Sequence, residues 1–172
     1  MKKTFSNILF ILYAVIAIFV TVCLLSYNDY KVTEFGNKSL ILVTDDSLSP
    51  RFKKGDLVIV DKKSQIINNR KAFFYEKNDI QIEVKLGTVE AIEKVTSTET
   101  TYTFEGDLKK SSQYVIGPAD GAEVIPTVGG ILAILESKWG FLFLIVMPSL
   151  LAFIYQISVV ISEIRGSKNQ EA

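Results

Sequence analysis

Histidine is absent from this chain and cysteine occurs once. The first absence removes the commonest general base and metal ligand, so Ser-His-Asp and Cys-His chemistry are excluded whatever the fold. The second leaves no intrachain disulfide and no cysteine-based metal site, since Cys23 stands alone inside an apolar run. A charge bias is also lacking. The 19 basic residues balance 19 acidic ones, and no basic stripe marks a nucleic-acid partner. The chain holds no internal repeat, no low-complexity segment and no pattern that asks for a cofactor or a metal.

What the chain has in excess is apolar sequence. Hydrophobic residues make up 48% of it, and its mean hydropathy is positive, which is too apolar for an ordinary soluble domain. Two runs account for this. Residues 8–26 are uncharged and follow Lys2 and Lys3, and at about 1.5 Å per residue they are long enough to cross a hydrocarbon core. The run is longer than a signal-peptide core, and Leu24-Leu25-Ser26-Tyr27-Asn28 offers no small-x-small cleavage site, so it reads as an anchor. Residues 139–161 open on Trp139, carry Tyr155 toward the far end and precede Arg165 and Lys168; Pro148 is tolerable in a bilayer. The flanking charges place residues 1–7 and 162–172 in the cytoplasm and residues 27–138 outside the cell membrane.

Between the runs the pattern is β. Residues 29–39 are polar and lead from the membrane to a first strand at 40–43. Further strands are expected at 57–60, 71–75, 80–86, 101–104, 114–117 and 124–126, and 89–95 either continues the fourth or begins another. Phe73, Phe74 and Tyr75 are expected in the core. Ile80, Ile82, Val84 and Leu86 alternate with polar positions, which puts Lys85 and Gly87 together on a polar face. Val128–Glu136 reads as a short amphipathic helix leading into the second span, against the low propensity of Gly129-Gly130. The expected fold is therefore mainly β, one domain between two transmembrane helices.

The most informative stretch is residues 40–61, strand then polar turn then strand, with Ser47-Leu48-Ser49-Pro50 in the turn and Lys54-Gly55-Asp56-Leu57-Val58-Ile59-Val60 after it. A serine presented after a strand beside a proline makes a turn or offers a hydroxyl nucleophile. These residues resemble the Ser-Met-x-Pro box and following Gly-Asp strand of type I signal peptidases, with Leu48 where that family usually has Met. The resemblance extends over most of the chain, through Gly106-Asp107 and Val115-Ile116-Gly117 to the closing span. That span is similar to the archaeal and endoplasmic-reticulum-type branch, which also occurs in Gram-positive bacteria.

The resemblance implies a signal-peptidase β-fold, a membrane-bound serine endopeptidase activity, and signal peptides of exported preproteins as partners, bound as an added strand. It implies Ser47 as nucleophile and Asp107 as a supporting acid. The family's base is His or Lys on the strand after the Gly-Asp pair. Lys85 is the available amine there, but alignment of Val89 and Ala91-Ile92 puts Gly87 at the base position. Asp45-Asp46 also replace a small or hydroxylated residue before the serine, and carboxylates there oppose an oxyanion unless they point into water. A second reading follows from these departures: a catalytically degenerate member that assembles or chaperones surface proteins such as pilins.

Overall fold

The computed structural model describes residues 2–30, 32–77 and 82–168. It divides into two compact units, Met1–Ala133 and Ile134–Ala172. The first unit opens with helix α1, Lys2–Leu25, and continues into nine strands: β1 Thr33–Phe35, β2 Lys38–Leu42, β3 Leu57–Asp61, β4 Lys71–Lys77, β5 Ile82–Lys94, β6 Thr100–Phe104, β7 Leu108–Ser111, β8 Val115–Pro118 and β9 Glu123–Ile125. The protein is thus mainly β, as expected. The strands form two antiparallel sheets, ordered β1-β2-β3-β9 and β7-β6-β5-β4-β8.

Strand β4 explains how the sheets share a core. Four consecutive residues, Ala72 to Tyr75, are buried. Phe73 and Tyr75 face a cluster with Ile41, Val58, Val60, Leu48, Phe52 and Ile116, while Ala72 and Phe74 face a second cluster with Val89 and Phe104. Each buried aromatic side chain contributes roughly 1.5–3 kcal/mol of transfer free energy, so the expectation that these aromatics are core is met on both faces. Where β8 crosses β3, Gly117 allows the approach, because a Cβ there would lie 2.9 Å from Val60 Cγ1.

Several boundaries differ from the sequence reading. The polar segment 29–39 contains β1, and β2 starts at Lys38, because Asn28 organises the chain there: its Oδ1 accepts the N–H groups of Tyr30 and Val32, and its Nδ2 donates to the Tyr75 hydroxyl at 2.7 Å. Strand β7 was not anticipated. Leu108-Lys109-Lys110-Ser111 lacks a β-branched run, and pairing with β6 across the Glu105-Gly106-Asp107 turn makes it a strand. Residues 82–94 form one strand, with a register shift between Val89 and Ala91 where two strands had been an option. Ile80 of the expected strand lies outside the described residues.

Helix α2, Val128–Glu136, forms despite its glycines, and one of them is the reason it fits. A Cβ on Gly129 would sit 2.0 Å from the carbonyl oxygen of Asp56, while Gly130 donates its N–H to the Gly55 carbonyl at 2.9 Å. The start of α2 therefore rests on the Gly55-Asp56 backbone.

In the second unit, α3 (Lys138–Gly140), a π-helical stretch Phe141–Val146 and α4 (Met147–Lys168) run on continuously. The π stretch ends beside Pro148, whose ring removes a donor from the ladder. Lys138–Ser162 is, among the described residues, the one helix long and apolar enough to cross a membrane. The apolar part of α1, Phe10–Leu25, is shorter than the ~20 residues a full crossing asks for. Hydroxyls in both helices donate to the carbonyl four residues back: Thr21 to Ala17, Ser149 to Ile145, Ser158 to Ile154 and Ser162 to Ser158. Each hydroxyl is thereby satisfied within its own helix.

Gly129→Ala is expected to destabilise the protein by about 1–3 kcal/mol, the usual range for overpacking. Gly130→Ala, whose Cβ would meet Gly55 Cα at 3.4 Å, is expected to be neutral or slightly stabilising. Thermal unfolding of the detergent-solubilised protein checks the pair, and equal Tm values would contradict the proposed contact.

Candidate functional site

The turn between β2 and β3 is built from its ends inward. Val43 accepts the Gly55 N–H at 2.8 Å and donates its own N–H to Asp56 at 3.0 Å, which closes the loop across its base. The Asp56 carboxylate accepts the Lys53 N–H at 2.9 Å, so the Gly-Asp pair serves as the lock of this loop. Leu48 and Phe52 are buried and pin the loop to the core. Arg51 reaches the other way, donating to the Ala119 carbonyl at 3.0 Å and pairing with Asp120 at 2.9 Å. The loop is therefore held at four points, and Ser47 remains exposed at its tip.

The Ser47 backbone N–H donates to Asp45 Oδ1 at 2.8 Å. Hydrogen bonding from Ser47, side chain before backbone, holds the Asp45 carboxyl below its ordinary value, with Lys85 and Lys54 adding to the effect. Asp45 is itself exposed at the loop tip. It occupies the N–H that a nucleophilic serine would need for an oxyanion.

Lys85 comes from β5. Its neighbours Val84 and Leu86 pack against the cluster that holds Leu48 and Phe52, so the fold brings the strand carrying Lys85 to the core beneath the Ser47 turn across 38 residues of sequence. The ammonium itself pairs with Glu83, two residues back on the same strand face, at 2.8 Å. The hydrogen bond to Glu83 is the main cause that lifts the Lys85 value above its ordinary 10.5; burial pulls the other way, and Glu76 and Asp45 add to the rise. The sign is plain. A raised lysine value means the charged pair persists through neutral pH and is lost only when pH climbs through that raised value.

Gly87 shares the face of Lys85, as alternation requires, and that face is polar at the Glu83–Lys85 pair and apolar at Gly87. Gly87 stands opposite Ala72 and Lys85 opposite Phe74. A Cβ on Gly87 would meet Phe104 Cδ1 at 3.0 Å and Phe74 Cε1 at 3.1 Å, so two packed rings crowd the position that the resemblance assigns to the base. Asp107 is exposed in the β6–β7 turn at φ +58°, and no hydrogen bond or ion pair joins it to Ser47 or Lys85. The turn itself is tied to this region, because Glu105 donates its N–H to the Thr88 carbonyl at 3.1 Å. Among the described residues no three His, Cys, Asp or Glu side chains gather as a metal site would require.

The sequence reading missed Glu83 as a site residue, and it named Asp45 without its contact to Ser47. Glu83 was visible in principle, since residues two apart on a strand share a face. The Asp45 contact was not, because the direction of a turn side chain is set by the loop closure. Compared with protein-family models and with curated proteins, the chain matches none.

Removing the Glu83 charge should release Lys85. In Glu83→Gln the pH at which Lys85 becomes reactive toward an amine-acylating reagent is expected to fall, read by mass spectrometry of the labelled peptide. An unchanged midpoint would mean that the ion pair does not set its protonation.

Proposed function

We propose that this chain is a signal-peptidase-like membrane protein that binds the signal-peptide region of exported precursors, pilin-type surface proteins among them, and holds it without cutting it. The observation that carries this is the Lys85–Glu83 ion pair at 2.8 Å. A protonated ammonium cannot take a proton from Ser47, and a serine without a base keeps an ordinary alcohol pKa. The Asp45 contact to the Ser47 N–H and the ring packing at Gly87 support the same reading. The chain is read as multi-pass, with the Lys138–Ser162 helix and the uncharged run 8–26, which extends the apolar part of α1 by a few residues, both crossing the cell membrane, residues 27–138 outside and both termini in the cytoplasm. Exposed Ile11, Val15, Ile18 and Val22 along α1 favour a lipid environment for it, and flanking Lys2, Lys3, Arg165 and Lys168 favour the orientation.

One observation favours a second reading, a serine endopeptidase of signal-peptidase type using Ser47 and Lys85: β5, which carries Lys85, packs through Val84 and Leu86 against the cluster that anchors the serine turn. An arriving peptide that displaced Asp45 and excluded water would lower the Lys85 value toward the range of a base. Asp107 would then act as the supporting acid.

Incubation of the detergent-solubilised protein with a model preprotein separates the two. The binding reading expects the preprotein to be retained intact, equally by the native chain and by Ser47→Ala. Cleavage that Ser47→Ala and Lys85→Ala each abolish would replace it with the endopeptidase reading. For the topology, Ser64→Cys is expected to react with an impermeant thiol reagent on intact cells and Ser167→Cys is not; the opposite pattern would overturn the orientation.

A further inference from the structure

Beyond the serine turn, the first unit carries a second concave site. A cleft of about 500 Å³ opens between the α1–β1 connection, β4 and β7, walled by Tyr30, Tyr75, Tyr114, Lys77, Lys109 and Lys110. Its aromatic wall is ordered by contact: Tyr30 stacks on Tyr75 with ring centroids 4.3 Å apart, and Tyr114 tilts against Tyr30 at 5.9 Å. The bond from Asn28 Nδ2 to the Tyr75 hydroxyl fixes that wall to the first turn after α1.

The three lysines are the unusual part. Among the described residues none of them makes an ion pair, and the contact recorded for Lys110 is the Phe74 ring, 5.6 Å from its Nζ. The cleft is lined by three lysines and, among the described residues, no acidic one, so its wall carries positive charge that an anion would balance. Lysine clusters suit phosphate as point charges, and tyrosines present apolar rings with a polar tip, the chemistry of a bilayer interface. Position agrees with this. Tyr30 lies five residues beyond Leu25, at most about 18 Å of chain from the end of α1.

We propose that this cleft binds a phosphate ester, supplied by the headgroup of an anionic phospholipid in the outer leaflet, so that the domain is held against the membrane beside its own anchor. The lipid source rests on the reading that α1 crosses the bilayer; the phosphate-ester chemistry does not.

The test uses the full chain in a non-ionic detergent, with dihexanoyl phosphatidylglycerol, dihexanoyl phosphatidylcholine and glycerol phosphate as probes, bound probe being counted by native mass spectrometry. Because these probes are soluble, the result is independent of how the protein lies in a membrane and stands apart from the thiol-labelling outcome. Saturable binding of about one phosphatidylglycerol is expected. It should weaken at least tenfold in Lys109→Gln/Lys110→Gln and survive in Lys109→Arg/Lys110→Arg, which keeps the charge and controls for folding. Much weaker glycerol phosphate binding supports the lipid source, and equal binding supports the phosphate-ester site with a soluble source. Binding that does not distinguish phosphatidylglycerol from phosphatidylcholine, that is unchanged in the Gln variant, or that a glutamate-rich peptide displaces at equal concentration would overturn the proposal.

Discussion

A strand buried on both faces governs this molecule. Because β4 presents Phe73 and Tyr75 to one cluster and Phe74 and Ala72 to the other, it must lie between neighbours on both edges and under cover on both sides. That requirement places β5 beside it in a register that sets Lys85 opposite Phe74. It also places the core against which Leu48 and Phe52 anchor the serine turn. The strand that carries Lys85 and the loop that carries Ser47 share this core, through Val84 and Leu86 on one side and Leu48 and Phe52 on the other, and the aromatic wall of the basic cleft is an extension of it through Tyr75.

Within that frame, the electrostatics of the serine turn are settled by competition for hydrogen-bond partners. Asp45 takes the Ser47 N–H, and Glu83 takes the Lys85 ammonium. Each group is left in its ordinary charged state at neutral pH, Asp45 depressed and Lys85 raised. The proposed peptide-holding function relies on main-chain hydrogen bonds along a strand edge, which need geometry but no proton transfer. Catalysis asks for more: a neutral amine, an open N–H and space beside the serine.

Much of the architecture was legible in the sequence. Period-two alternation found β5, continuous apolar runs found β3 and β4, and the Gly-Asp pair marked the loop that closes under the serine. Strands β1 and β7 were not legible, since Asn28 side-chain bonds and a neighbouring strand produce them rather than their own composition. The shared face of Lys85 and Gly87 was foreseen and its apolar character at Gly87 was not, because alternation gives the side on which a residue lies and cannot show that Phe74 and Phe104 crowd that position. Likewise Asp45 was seen as a departure from the family pattern, but loop closure alone decides that its carboxylate accepts the Ser47 N–H.

The central claim is that Ser47 is an unactivated alcohol, and its reactivity toward a serine-directed fluorophosphonate at neutral pH tests it most directly. The account predicts that intact mass and peptide mapping after incubation find Ser47 unmodified, with no difference between the native chain and Ser47→Ala. Stoichiometric phosphonylation at Ser47, absent from Lys85→Ala, would contradict it.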